Sequence, residues 1–336
     1  MAVSVSLKKL AEILGLAPST VSRALKGHPD ISRATQERVR ALAQELHYKP
    51  SALALSLRNK RSNSIAMLVP FLGNYFYACA VSSVIRSAYS SGYKVIVFEN
   101  GEDYEQEVKI CQFLQKSGID GLVVAPARTT NDLDHFVKLQ HEGIPMVFFD
   151  RICTGILTDR VVVDDYAGVC SAVEYLIRGG CRRIAFFGSP SHLAISNNRR
   201  MGYEDALRKN GLPVDKELIK ICDNYTEALR LTPELLSLPN RPDAFFAVND
   251  ETAIGVLNVV KAKGLRIPDE VSICGFTNNS LAEVSDPLLT SVDQHGYELG
   301  AIAMRLLIER LNGVRDGDRI VSKIIKTNLV VRQSTR

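Results

Sequence analysis

The sequence predicts an α/β protein in which a small three-helix helix-turn-helix headpiece precedes a larger, two-lobed, doubly wound body. Three observations carry this. Residues 7–46 space their apolar side chains at helical intervals on either side of a glycine break. From Ser64 onward, short apolar and β-branched runs alternate with helical stretches of about ten to sixteen residues. Those runs are continuously apolar, the pattern of parallel strands covered on both faces. At 336 residues the chain also exceeds one ordinary core.

Taken in order, Leu7, Leu10, Ala11 and Leu14 mark the first helix and Gly15 breaks it. Val21 and Leu25 form an i, i+4 pair on the second, and Val39, Leu42, Ala43 and Leu46 repeat the first pattern on the third. Pro50 stops that helix, and 51–64 is a polar-interrupted link with room for a helical turn or two. Buried strands are expected at 65–69, 95–98, 122–125, 146–149, 184–187, 245–248 and 271–275. That is too many β-α units for one comfortable sheet, hence two lobes with a cleft between them. Ligands of such folds sit at the carboxyl ends of the strands. Polar residues cluster there: Asp150 and Arg151, Asn249 and Asp250, Thr277 and Asn278.

Charge is distributed unevenly. Residues 1–61 hold eleven basic residues against four acidic ones, +7, which leaves −3 for the rest of a chain whose net charge is +4. A polyanion is therefore expected at the head alone. No run of eighteen uncharged apolar residues and no signal-peptide pattern is present, so a cytoplasmic protein without a membrane partner is expected. Seven scattered cysteines without a C-x-x-C argue against a disulfide framework, and six histidines without metal-ligand spacing imply no metal. Phosphate-loop, dinucleotide, nucleophile-elbow and zinc-protease motifs are all missing, which makes binding a better expectation than catalysis and implies no cofactor.

On the second helix Ser19, Ser22, Arg23 and Lys26 fall at i, i+3, i+4 and i+7, opposite Val21 and Leu25. Hydroxyls and cations on a short helix suit the DNA major groove, where Arg can reach guanine bidentately. With Leu7, Ala11, Gly15, Thr20, Val21, Ser22, Arg23 and Leu25 in place, and Ile31 to Thr35 with Arg38 and Val39 behind them, the segment resembles the headpiece of the LacI-type (lactose and purine repressor) transcription factors. The resemblance extends from about Val5 to Arg332. It implies that Pro18, Ser19 and Arg23 read bases and that Thr20 and Ser22 touch phosphates of double-stranded DNA. Leu7 and Lys26 complete the expected surface. Ala17 departs from the family's Ser or Thr, removing an N-cap oxygen worth about 1 kcal/mol. Pro18, preset for a first helical turn, partly compensates.

The segment from Ala52 to Arg58 resembles the family's hinge helix, in which paired helices of a dimer enter the minor groove and a leucine wedges between base pairs. Leu57 takes the wedge position with Arg58 beside it, while Leu55 stands where the family has Arg. So short a helix is marginal in water and is expected to order on DNA.

The remainder resembles the family's periplasmic-binding-protein-like body. The implied organisation is a headpiece at 1–49, a hinge at 50–62 and an effector-binding and dimerisation domain at 63–336. Its N-terminal lobe would hold about 63–163 and 292–322, its C-terminal lobe about 164–291 and 323–336. The resemblance places Tyr75, Phe76, Asp150, Arg199, Asn249 and Thr277 at the cleft, with Tyr225 as an aromatic from the second lobe. Carboxylate, amide and guanidinium groups among aromatics suit a polyhydroxylated small-molecule effector such as a sugar. Thr277 replaces a family Asp, which leaves a nucleobase open. The expected activity is transcriptional regulation, as a repressor, by a homodimer on a pseudo-palindromic operator, with effector binding coupled to DNA binding.

Overall fold

The computed structural model describes residues 5–48, 62–153, 155–190, 193–314 and 319–336, in two compact units, Met1–Asn63 and Ser64–Arg336. The expected hinge residues Leu55, Leu57 and Arg58 lie outside the described residues.

In the head, α1 (Leu7–Leu14), α2 (Pro18–Leu25) and α3 (Arg33–Glu45) close over Leu10, Ala11, Val21, Ala24, Val39 and Ala43. Leu7, Leu14, Leu25, Leu42 and Leu46 form the half-buried rim of that core. The Ser6 hydroxyl accepts from Lys9 N at 3.2 Å to cap α1, and Gly15 ends it at φ +62°, a conformation in which a Cβ would be strained. Ser32 caps α3 by accepting from Thr35 N at 3.3 Å. As expected, Ala17 gives α2 no side-chain cap, and Pro18 occupies its first turn.

The body runs in chain order β1 (Ser64–Val69), α4 (Tyr75–Ser90), β2 (Lys94–Glu99), α5 (Tyr104–Ser117), β3 (Gly121–Val124), α6 (Asp134–His141), β4 (Met146–Phe149) and β5 (Asp159–Val163). There follow α7 (Asp165–Arg178), β6 (Ile184–Gly188), α8 (Ala194–Lys209), β7 (Ile219–Ile221), α9 (Tyr225–Leu236), β8 (Ala244–Ala247), α10 (Asp250–Ala262) and β9 (Ser272–Thr277). It ends with α11 (Ser280–Val284), β10 (Thr290–Asp293), α12 (Gly296–Leu311), β11 (Ser322–Ile325) and β12 (Asn328–Val330).

Two six-stranded sheets result, ordered β11-β5-β4-β3-β1-β2 and β12-β10-β9-β8-β6-β7, parallel throughout except for β12. In each, the chain moves outward by one strand and then returns past its start. The crevice above β1 and β3, and that above β6 and β8, are therefore the switch points where doubly wound folds bind ligands. Helices cover both faces. Ile65, Met67 and Val69 of β1 join one core with α4 and α12, while Ala66 and Leu68 join another with α5 and α6. Likewise Phe245 and Ala247 of β8 face α9 and α10, and Ala244 and Phe246 face α7 and α8. Gly300 lets α12 approach α4, since a Cβ there would stand 2.4 Å from Ala80 O.

All seven strands expected from apolar runs are present. Five further strands, β5, β7, β10, β11 and β12, are short or polar. β10 is buried although it reads Thr-Ser-Val-Asp, because hydroxyl pairs such as Thr290–Thr335 (2.8 Å) satisfy it. The lobe boundaries shift accordingly. β10 pairs with β9 and β12 through Asp293, and β11 pairs with β5 through Ile325. The crossings expected near 291 and 322 thus come after 293 and 325, the first crossing following β5. Among the described residues no helix is long and apolar enough to cross a membrane.

Candidate functional site

Two surfaces carry chemistry. On α2, Pro18, Ser19, Arg23 and Lys26 are exposed and Thr20 and Ser22 half-buried, while Val21 and Ala24 face the head core. Among the described residues no carboxylate pairs with Arg23 or Lys26. Within the described head, residues 18–26 therefore present two cations, together with hydroxyls, on one face. Leu7 is instead half-buried against the core of the head, so its packing is its first role.

In the body a cavity of about 260 Å3 lies between the lobes. The first lobe lines it with loops that leave β1 (Phe71, Asn74), β2 (Glu102), β3 (Arg128) and β4 (Asp150, Arg151). The second contributes Ser189, Arg199, Asp223, Asn249 and Thr277. Of the residues singled out in the sequence, Phe76, Asp150, Arg199, Asn249 and Thr277 line the cavity together. Tyr75 and Tyr225 do not. Tyr75 precedes Phe76 by one helical step, which turns it about 100° away toward Cys79, and it remains 44% exposed. Tyr225 lies against α10, its hydroxyl accepting from Asn258 Nδ2 at 3.1 Å.

Asp150 is buried at φ +61°, and its Oδ2 accepts from the Tyr77 hydroxyl at 2.7 Å. Burial pushes this carboxyl up from its ordinary range despite the Arg151 charge. Arg199 does not pair with Asp150. Its Nε donates to Asp165 Oδ1 at 2.7 Å, its Nη1 to Val248 O at 2.9 Å, and its guanidinium lies 4.2 Å from the centre of the Phe276 ring. Asn249 uses its amide for structure on both sides: Oδ1 accepts from Thr252 N at 2.7 Å and caps α10, and one Nδ2 hydrogen is donated to Asp223 O at 2.7 Å. Thr277 sits at φ +115°, a strained position for a β-branched residue, and its hydroxyl donates to Gln294 Oε1 at 3.0 Å.

Sequence reasoning missed a second layer. Arg151 grips Glu102 with two hydrogen bonds, Nη1 to Oε2 at 2.5 Å and Nη2 to Oε1 at 2.8 Å. Burial raises the Glu102 carboxyl, but Arg151 outweighs it and the group titrates below its ordinary value. Arg128 reaches across the cleft to Asp223, with Nη1 3.1 Å from Oδ2. Tyr77, Gln294 and these ion pairs gave no local signal, apart from Arg151 standing next to Asp150.

Two buried carboxyls near the cleft make stability depend on pH. Burial raises Asp165 to about 6 even against the Arg199 charge. It raises Asp250, which accepts from the Ser291 hydroxyl at 2.5 Å and Asn279 N at 2.7 Å, to about 7. Unfolded aspartate titrates near ~3.9, so between that pH and about 7 the folded body binds more protons than the unfolded chain and loses stability as pH rises. The urea midpoint is expected to be higher at pH 5 than at pH 8, by less in Asp250→Asn. An identical pH slope in the two proteins would contradict this.

Residues 6–51 match the family model described as bacterial regulatory proteins, lacI family, and residues 173–335 match a periplasmic binding protein-like domain. Over 332 residues the chain is 30% identical to the HTH-type transcriptional repressor CytR of Escherichia coli strain K12, spanning 98% of this chain and 96% of that one. The chain belongs to the lacI family. This lacI-family protein is also 28% identical over 336 residues to catabolite control protein A of Priestia megaterium, 99% of this chain and 100% of the other. Among solved structures it is similar to a transcriptional regulator CelR–cellobiose complex, with a TM-score of 0.74 and 27% identity over 98% of this chain and 99% of that one. Its fold is also that of the lac repressor dimer bound to operator and the anti-inducer ONPF, with a TM-score of 0.85 and 22% identity over 99% of both chains. The lacI-family chain is thus a DNA-binding transcriptional regulator.

Proposed function

We propose that this lacI-family protein is a repressor that binds a pseudo-palindromic operator as a homodimer and is controlled by a neutral polyhydroxylated ligand, a sugar or sugar derivative, held between the lobes. The observation that carries the ligand class is the pairing of charge. Every guanidinium lining the cavity has a carboxylate partner: Arg128 with Asp223, Arg151 with Glu102, Arg199 with Asp165. Among the described lining residues an anionic ligand would find no guanidinium without a carboxylate partner, and it would meet Asp150 and Glu251 on the wall. A polyol finds donors and acceptors in Asp150, Asn74, Ser189, Gln294 and the buried, unpartnered Nε of Arg151, with Phe71 and Phe76 as apolar faces.

On the head, Pro18, Ser19 and Arg23 read bases, Thr20 and Ser22 hold phosphates, and Lys26 adds charge. Leu57 wedges into the minor groove beside Arg58. The protein acts in the cytoplasm and is not an enzyme. A thermal-shift screen tests the ligand class, because a ligand at one hundred times its Kd stabilises by about 2.7 kcal/mol. Neutral sugars are expected to raise the melting temperature where their phosphates do not. Stabilisation by sugar phosphates alone would overturn the reading, and stabilisation by nucleobases alone would transfer it to that class.

A further inference from the structure

We propose that the cavity between α5 and α6 in the first lobe is a second ligand site, one that takes a small primary ammonium compound. It measures about 170 Å3, the room of about five or six waters at ~30 Å3 each. Tyr104, Gln112 and Gln115 line it from α5, and Asp132, Asp134, His135 and Lys138 from the segment around α6. His135 is 4% exposed, and its Nδ1 is buried without a hydrogen-bond partner.

The polarity of that unpaired nitrogen follows from its neighbour. The wholly buried Glu107 carboxylate accepts from Asn100 Nδ2 at 3.0 Å, Ala127 N at 2.7 Å and Thr130 Oγ1 at 2.7 Å. It can only accept from His135 Nε2 as well, at 3.0 Å. In the neutral ring, with its proton on Nε2, Nδ1 is an acceptor and calls for a donor. Two carboxylates and the Gln112 and Gln115 amide oxygens supply further acceptors along the cavity lining, against one cation, Lys138. The Tyr104 ring stands edge-on to His135, with centroids 5.6 Å apart, as a further wall. Among the described residues no group of three or more acidic, histidine or cysteine side chains could hold a metal ion.

The site also has a route to the cleft. The same Glu107 that positions His135 holds Ala127 N, one residue before Arg128, whose side chain bridges the lobes to Asp223. A ligand that moves the His135–Glu107 pair therefore shifts the 125–130 loop and with it an interlobe contact.

Isothermal titration of the full chain with ethanolamine and 1,3-diaminopropane tests this, with acetate and tetramethylammonium as controls. Saturable binding of the primary amines is expected, weakened at least tenfold in Asp132→Asn/Asp134→Asn, a pair of changes near the surface that circular dichroism can show to be folded. Binding is expected to persist in Arg128→Met, while the amine's effect on operator affinity disappears. No saturation up to 10 mM amine would overturn the proposal, as would equal binding of tetramethylammonium or unaltered affinity in the double variant. None of these outcomes depends on which ligand fills the interlobe cavity.

Discussion

Arg199→Ala is expected to cost the body about 3–5 kcal/mol and to abolish the ligand's control of operator binding. The stability loss arises because Asp165, almost fully buried, would keep its charge without the guanidinium 2.7 Å away. Val248 O would lose a donor, and the Phe276 ring its cation. Asp165 titrates at about 6, so it can escape by taking up a proton, and the cost should shrink from pH 8 to pH 5. A double variant, Arg199→Met/Asp165→Leu, is expected to recover most of the stability but none of the ligand response, since it restores packing without restoring donors. Urea unfolding followed by circular dichroism reads the first effect and operator titration with ligand the second. An Arg199→Ala protein with wild-type midpoints at both pH values would remove this pair from the account of stability.

The largest effect on DNA is expected at Arg23. Removing this exposed guanidinium, which pairs with no carboxylate among the described residues, should cost about 1–3 kcal/mol per half-site at one base pair, roughly five- to a hundred-and-sixtyfold for each half-site of the preferred operator. Random DNA should be bound nearly as before, because sequence-independent contacts dominate there. Selection from a randomised operator library by wild type and Arg23→Ala measures this directly. An unchanged consensus with uniformly weaker binding would make Arg23 a phosphate contact instead.

How far the fold could be read from sequence follows the range of the interactions. The head is legible because its core is built from i, i+3 and i+4 neighbours, and because Ser6, Gly15 and Pro18 mark helix ends locally. The central strands are legible because both their faces are apolar. β10 is not, since its burial depends on Asp250 and Thr335, each more than forty positions away. At the cleft, residue type and strand-end position located Asp150, Arg199 and Thr277. They could not show that Arg199 belongs to Asp165, or that Glu102 pairs with Arg151 across a separation of 49 residues. Tyr75 shows the limit at single-residue resolution: one step along a helix separates a cavity wall from open solvent. Asn249 lies where expected, yet helix capping and loop support claim its amide.

The two edge strands contributed by the end of the chain have a consequence for synthesis. β11 completes one sheet and β12 the other, and beyond them Ser334 exchanges hydrogen bonds with Ile273 in the heart of the second lobe. A ribosome that has made only 320 residues therefore holds a chain in which the head can already fold from local contacts while neither lobe has its last strand. DNA affinity and ligand control then mature at different moments, and a nascent or truncated chain would be a DNA-binding head without a finished sensor.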